Sequence, residues 1–412
     1  MVCYTGWEYL LIDLANHAGF DKLLFEERIQ WATDNLHQLE SLTKDAETKP
    51  LYIKAVMAIR KAQQGIATGH LVGLDACCSG IQVMSAMTGC VAGATATGMV
   101  DPLVRADAYT DVTKAMETIL GGAVDISRAN AKKATMTSFY GSKAQPKLLF
   151  GEDTPELAAF YQAAHVVAPG AWELLQDLLA SWRPHTLSHS WKLPDGFDAR
   201  IKVMVTKEAR IEVDELDHAT FTYEFMENEG TAKGLSNAAN VVHSMDAWIA
   251  RSMHRRCNYD RKVAENAERM IHAELYQRSL NPAPRVVPFD DKVAYYMEQY
   301  TRSTLADVVI LPHLDEYAVK HLSTEHLEAL DSILTGMLNY QPFELVTVHD
   351  EFKAHANNMN HVRWQYREIL AEIAESDVLN DLLAQVYGEP GNFMKLSFNL
   401  PELIRGSEYA LC

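Results

Sequence analysis

Apolar residues recur at helical spacing from Thr5 to about Ala67, most clearly through Phe25-Glu26-Glu27-Arg28-Ile29-Gln30-Trp31, so this stretch predicts helices. Leu71 to Ala76 is short and apolar and predicts a buried strand ending at Asp75. Helical periodicity returns from Asp101 to Leu120, and again through a basic stretch that ends at Tyr140. Strand-like alternation is concentrated between Ala199 and Phe225, in Ile201-Lys202-Val203-Met204-Val205 and Phe221-Thr222-Tyr223-Glu224-Phe225. Long helical stretches then lead to a β-branched run, Leu345-Val346-Thr347-Val348, which places Asp350 just beyond a strand. The remainder reads as helix, followed by an extended tail from Leu396 to Cys412. The pattern predicts an α+β protein, mainly helical, with no repeat or linker to separate its parts.

One segment changes when composition is considered. Ala76 to Val100 carries no charge and is long enough to span a bilayer. Its serines, threonines, Gln82 and four glycines make it too polar and too broken for that, so it predicts a buried segment of a soluble protein with no membrane contact. With 412 residues the chain can bury a large core and hold two or three interleaved subdomains. Six cysteines without CxxC spacing, and no basic stretch leading into an apolar signal core, predict reduced thiols in a cytoplasmic compartment. The net charge of -18 excludes a protein that grips duplex DNA by electrostatics alone, although a local basic channel remains possible.

The candidate chemistry lies in three places. Asp75 and Asp350 each end a predicted strand, and magnesium takes one or two protein carboxylates plus substrate phosphates. Asp is also common as a helix cap and in turns, so neither residue decides the matter alone. In Arg128-Ala129-Asn130-Ala131-Lys132-Lys133-Ala134-Thr135-Met136-Thr137-Ser138-Phe139-Tyr140-Gly141, the residues Arg128, Lys132, Met136 and Tyr140 fall at successive i, i+4 positions. They form one stripe on a helix, with two cations and an aromatic suited to a triphosphate and its sugar. Gly141 releases that helix.

Taken in order, Leu74-Asp75-Ala76-Cys77-Cys78-Ser79-Gly80-Ile81-Gln82, the Arg128–Tyr140 stripe and His349-Asp350 resemble motifs A, B and C of the single-subunit, bacteriophage-type RNA polymerases. The likeness extends to Asn16–Ile29, whose Lys22 stands where the family has a phosphate-approaching lysine, and to Tyr109, a tyrosine near the nucleotide. Pro194-Asp195-Gly196-Phe197, Asn240-Val241-Val242-His243-Ser244 and the tail from Phe398 to Ala410 also resemble family segments. The resemblance implies a right-hand palm and fingers, with the thumb and N-terminal domain absent. It implies a palm-associated helical module over 1–68, palm over 69–92, fingers over 93–242, and palm with a C-terminal foot over 243–412. Asp75, the Ala76 carbonyl and Asp350 would hold two Mg2+ ions. Lys22, Tyr109, Arg128, Lys132 and Tyr140 would bind the nucleotide, and Tyr140 with His243 would sense the ribose. Lys132 would also serve the leaving pyrophosphate.

Three departures stand out: Glu351 where these polymerases have serine, Met245 in place of glutamine, and Ala76 in place of glycine. Glutamate after the motif C aspartate is the pattern of family A DNA polymerases. Those enzymes, however, exclude ribonucleotides with a glutamate five residues after the first aspartate, and here that position is Gly80. The resemblance therefore implies the large catalytic subunit of a split, heterodimeric phage RNA polymerase. It would transcribe phage genes in the cytoplasm of an infected bacterium, from ribonucleoside triphosphates and a DNA template to an RNA product. A smaller subunit would supply the missing N-terminal parts. The alternatives are a family A-like DNA polymerase and a non-catalytic polymerase-fold subunit. In the region that corresponds to the family's base-reading hairpin, seven carboxylates from Glu212 to Glu229 stand among few cations. Initiation on single-stranded or melted DNA is expected, with an accessory DNA-binding protein.

Overall fold

The computed structural model describes residues 1–122, 124–234, 236–281 and 291–412. Seven strands lie among helices: β1 (Leu71–Asp75), β2 (Ser188–Lys192), β3 (Asp198–Lys202), β4 (Met204–Val213), β5 (Ala219–Asn228), β6 (Val346–Val348) and β7 (Glu351–His355). The protein is α+β and mainly helical, as the pattern predicts. Its central sheet has the order β1-β7-β6, antiparallel throughout, while β2-β3 and β4-β5 are separate two-stranded pairs.

Strand alternation orients the central sheet. Val72, Leu74, Phe352 and Ala354 are buried on its inner face, leaving Gly73, Asp75, Glu351 and Lys353 on the other. The uncharged segment belongs to the same core. All ten residues of the Ser79–Thr88 helix are buried, and it packs on the Pro169–Ala180, Ser236–Cys257 and Met359–Glu375 helices. A polar residue survives there only with full partnership. Gln82 donates to the carbonyls of Thr97 (2.9 Å) and Ala410 (2.8 Å) and accepts from the Tyr366 hydroxyl (2.7 Å). Among the described residues no helix is long and apolar enough to cross a membrane.

Four expectations are corrected. The helix expected from Asp101 begins only at Ala108, because Pro102 sits within an Asx turn in which Asp101 accepts from the Leu103 N–H (2.8 Å) and Asp107 caps the helix through Tyr109 (3.2 Å). Ile201–Val205 is not one strand. Val203 turns inward, donates to the Leu187 carbonyl (2.9 Å) and divides β3 from β4. β2 is an additional strand that pairs with β3. Beyond Asp350 the chain forms β7 instead of helix and fills the place between β1 and β6; its alternation over Phe352 and Ala354 was too short to stand out. The tail is not wholly extended either: Leu400–Gly406 is helical, with Pro401 in its first turn. Past it, Cys412 exchanges backbone hydrogen bonds with Asp75, its N–H donating at 3.0 Å and its carbonyl accepting at 3.4 Å.

The Pro194–Phe197 segment is a turn held by charge. Buried Asp195 accepts from Arg251 Nε at 2.7 Å and from Arg255 Nη2 at 3.2 Å, and Arg255 also donates to buried Asp307 at 2.6 Å. This network ties the β2–β3 connection to the Ser236–Cys257 helix, which carries His243.

Candidate active site

Antiparallel register brings together two carboxylates that are far apart in the chain. Asp75 closes β1 opposite Glu351, and the Ala76 N–H donates to the Asp350 carbonyl at 3.2 Å. Val348 pairs with Glu351, so His349 and Asp350 form a two-residue turn. His349 has φ 57°, and Cys78, just after the first carboxylate, has φ 62° and ψ 68°. Left-handed backbone at a non-glycine residue costs roughly 1–3 kcal/mol and collects at functional sites. Here one such residue stands beside each carboxylate.

The carboxylates repel one another. Desolvation, then the charges of Asp350 and Glu351, push the carboxyl of Asp75, an exposed residue, up to about 7. Asp246, on the Ser236–Cys257 helix, is likewise pushed up to about 7, by burial and by Asp350. Closely set carboxylates that resist joint ionisation are a donor set that a divalent cation relieves. Asp75 and Asp350 therefore fit magnesium by the chemistry of their donors. The Ala76 carbonyl already accepts from the Cys78 N–H at 3.0 Å, leaving one lone pair for a further partner. Glu351 turns onto the sheet's outer face, where its carboxylate lies over Gly73 and pairs with Lys353 at 2.7 Å. Another grouping of metal-type ligands, Glu212, Asp214 and His218, lies exposed at the β4–β5 tip, where His218 already bridges the two acids at 2.8 and 3.4 Å.

The basic stripe forms as its spacing predicts, on a helix from Arg128 to Ser138; Tyr140 follows it and Gly141 turns the chain at φ 92°. Its cations differ in availability. Arg128 is tied to Asp107 through Nε (3.0 Å) and Nη2 (2.5 Å), so its charge is already compensated. Lys22 pairs with Asp21 at 2.7 Å. Lys132 is exposed, with its ammonium 5.6 Å from the Tyr109 ring centroid and no ion pair among the described residues. Asp107 draws these groups together, since Arg128 and Lys22 both help hold its carboxyl below the usual range against the effect of burial. Tyr109 is half-buried beside Cys78, and its hydroxyl is pushed well up, first by desolvation.

Tyr140 meets His243, with ring centroids 4.4 Å apart. Both line a recess of about 560 Å³ with Ser79, Asp246, Asp350 and Tyr366. Gly80 matters here for its missing side chain: a Cβ would come within 2.7 Å of Tyr140 Oη and 2.9 Å of Cζ. The tyrosine fills the space that a longer residue at 80 would take. Gly80→Ala should therefore lower stability by about 1–2 kcal/mol, the overpacking cost exceeding the helix-propensity gain. Urea denaturation checks this, and Tyr140→Ala in the same chain should recover the loss. An unchanged midpoint in the single variant would show that the ring is not held against the helix.

The nine residues singled out from the sequence thus fall into three neighbouring sets: Asp75, Ala76 and Asp350; Lys22, Tyr109, Arg128 and Lys132; and Tyr140 with His243. Asp246 and Asp107 were missed. Asp246 lies three positions after His243, on the same helix face, so the signal for it was present. Asp107 lies inside the stretch expected to be helical from Asp101, and only the fold shows that it caps the helix and binds Arg128.

Comparison with known proteins adds independent evidence. Residues 2–146 match the family model described as DNA-dependent RNA polymerase. That stretch contains Lys22, Asp75, Tyr109, Arg128, Lys132 and Tyr140, and stops before His243 and Asp350. A protein of Pseudomonas phage phiKMV named DNA-directed RNA polymerase is 26% identical, over 33% of this chain and 21% of its own length. The match thus spans about a fifth of that relative. Over its first third this chain is similar to the phage-type DNA-dependent RNA polymerases, and the first carboxylate and the whole basic stripe fall within that likeness.

Proposed function

We propose that this chain is the catalytic subunit of a DNA-dependent RNA polymerase, joining ribonucleotides on a DNA template with two Mg2+ ions. The observation that carries the reading is the β1–β7 register, which sets Asp75 beside Asp350 across a recess from the Arg128–Tyr140 stripe. Asp75, Asp350 and the Ala76 carbonyl would hold the metal, whose chemistry when bound is to acidify the primer 3′-hydroxyl and neutralise the departing pyrophosphate. Lys132 would lend its charge to the pyrophosphate and serve as its proton donor. Arg128 and Lys22 support the triphosphate once it competes with Asp107 and Asp21. Tyr109 packs beneath the cations, and Tyr140 stacked near His243 faces the sugar.

With a net charge of -18, the chain also needs positive surface from elsewhere to hold its template. We infer a complex with a smaller polypeptide in the infected cell, starting on single-stranded or melted DNA. The second reading, a DNA polymerase, draws on Glu351, which shares the sheet face with Asp75. The discriminating experiment measures primer extension with ribo- and deoxynucleotides, by the chain alone and with candidate partner chains. Wild type should prefer ribonucleotides, and Tyr140→Phe should narrow that preference by about tenfold or more while keeping most of the rate, since one hydrogen bond is lost. Preference for deoxynucleotides in wild type would hand the assignment to the DNA polymerase.

A further inference from the structure

The β4–β5 ribbon has two unlike faces and, among the described residues, no third strand. In register, Ile211 opposes Phe221, Ala209 opposes Tyr223 and Lys207 opposes Phe225, which builds an apolar, aromatic face. Phe221 is 52% exposed, Tyr223 44% and Phe225 38%. The opposite face is acidic. There Glu208 stands directly across from Glu224, and neither has an ion pair among the described residues. Like charges opposed across a strand pair are destabilising, and a lone two-stranded ribbon is marginal in water. Every residue of β5 is exposed, and its outer edge pairs with no strand among the described residues.

Between Met204 and Glu229 there are eight carboxylates and two cations. Of the cations, Lys207 is bound by Glu227 and Glu229, and Arg210 donates to Thr220 at 2.9 Å. Nucleic acid is thereby disfavoured, because phosphate contacts need available Lys or Arg. A strand whose residues alternate apolar and cationic satisfies every feature at once. Its apolar side chains extend the aromatic face, its cations fall beside Glu224 on the face that Glu208 shares, and its backbone pairs with the free edge.

We propose that the β4–β5 ribbon is a protein-docking site which takes an extended, alternately apolar and cationic segment of a second protein as a third strand on β5. Binding supplies the missing charge and covers the aromatic face, so the ribbon becomes ordered on assembly. The inference is independent of the polymerase reading.

The test is fluorescence anisotropy of labelled probes against the full chain, at low and at physiological salt. The probes are a short peptide of alternating lysine and valine, its glutamate–valine counterpart, the lysine–valine peptide N-methylated on alternate backbone nitrogens, and duplex DNA. The lysine–valine peptide should bind at least about tenfold tighter than the other three, a margin of about 1.4 kcal/mol, and weaken with salt. In a Glu208→Lys/Glu224→Lys chain, which keeps its strands, the preference should swap to the glutamate–valine peptide. Equal binding of the N-methylated peptide would overturn strand addition and leave only charge attraction. Duplex DNA binding more tightly than the peptide, or an unaltered preference in the charge-reversed chain, would overturn the proposal altogether.

Discussion

Asp350→Asn is expected to lower nucleotide incorporation by three orders of magnitude or more, about 4 kcal/mol of barrier at ~1.4 kcal/mol per factor of ten, while leaving the fold intact. The fold should tolerate it because the cross-strand bond from Ala76 goes to the Asp350 backbone carbonyl, not to its side chain. Asparagine is also at home in a two-residue turn. The same substitution removes the charge that raises Asp75 and Asp246, so the metal-free protein should become slightly more stable as it loses activity. That opposition separates a chemical role from a structural one. A residue kept for stability would lose both together. Asp75→Asn should behave alike, and primer extension with the partner chain present, read beside thermal melting, checks both variants. Activity within tenfold of wild type in either would remove these carboxylates from the mechanism.

The second large effect links pH, magnesium and stability. Asp75 and Asp246 titrate near 7 in the folded chain, against an ordinary carboxyl value of 3.8. A carboxyl with a raised folded value binds its proton more tightly folded than unfolded. Its stabilising contribution is present in full below about pH 4 and is lost as pH rises through about 7. The metal-free protein should therefore melt at progressively lower temperature between pH 4 and 8. Magnesium competes with those protons and should raise the melting temperature at pH 8 far more than at pH 5. At a hundred times its dissociation constant the ion would add about 2.7 kcal/mol, a shift of several degrees. Differential scanning calorimetry with and without Mg2+ measures this. Asp75→Asn should flatten both the pH slope and the magnesium response, since it removes one proton site and one metal ligand. A magnesium response as large at pH 5 as at pH 8, or one untouched by Asp75→Asn, would show that the ion binds elsewhere.

The stripe was legible because it is local. Arg128, Lys132 and Met136 share a helix face by spacing alone, and no distant contact is needed to align them. β1 and β6 were legible for a similar reason, since short β-branched or apolar runs announce strands. β7 was not, because five residues with two buried positions make too weak a period to compete with the long helices around them. The break at Val203 was also hidden. It depends on Leu187, whose carbonyl takes both the Val203 N–H and the Asn228 side chain at 2.8 Å, and no local pattern encodes that meeting.

By itself, then, the sequence determined on which elements the candidate residues ride: carboxylates at strand ends, cations along one helix with a tyrosine just past its end, a histidine on another. These follow from side-chain type and period, which are properties of neighbours in the chain. Only the tertiary structure decided which groups are available and how they are charged. The β1–β7 register joins residues 275 apart into one repelling cluster, Asp107 occupies Arg128 while Lys132 stays open, Gly80 yields its space to Tyr140, and Asp246 faces the same recess. Each of these depends on distances of a few ångströms between elements remote in sequence, where charge and packing interactions are strongest and where periodicity carries no information.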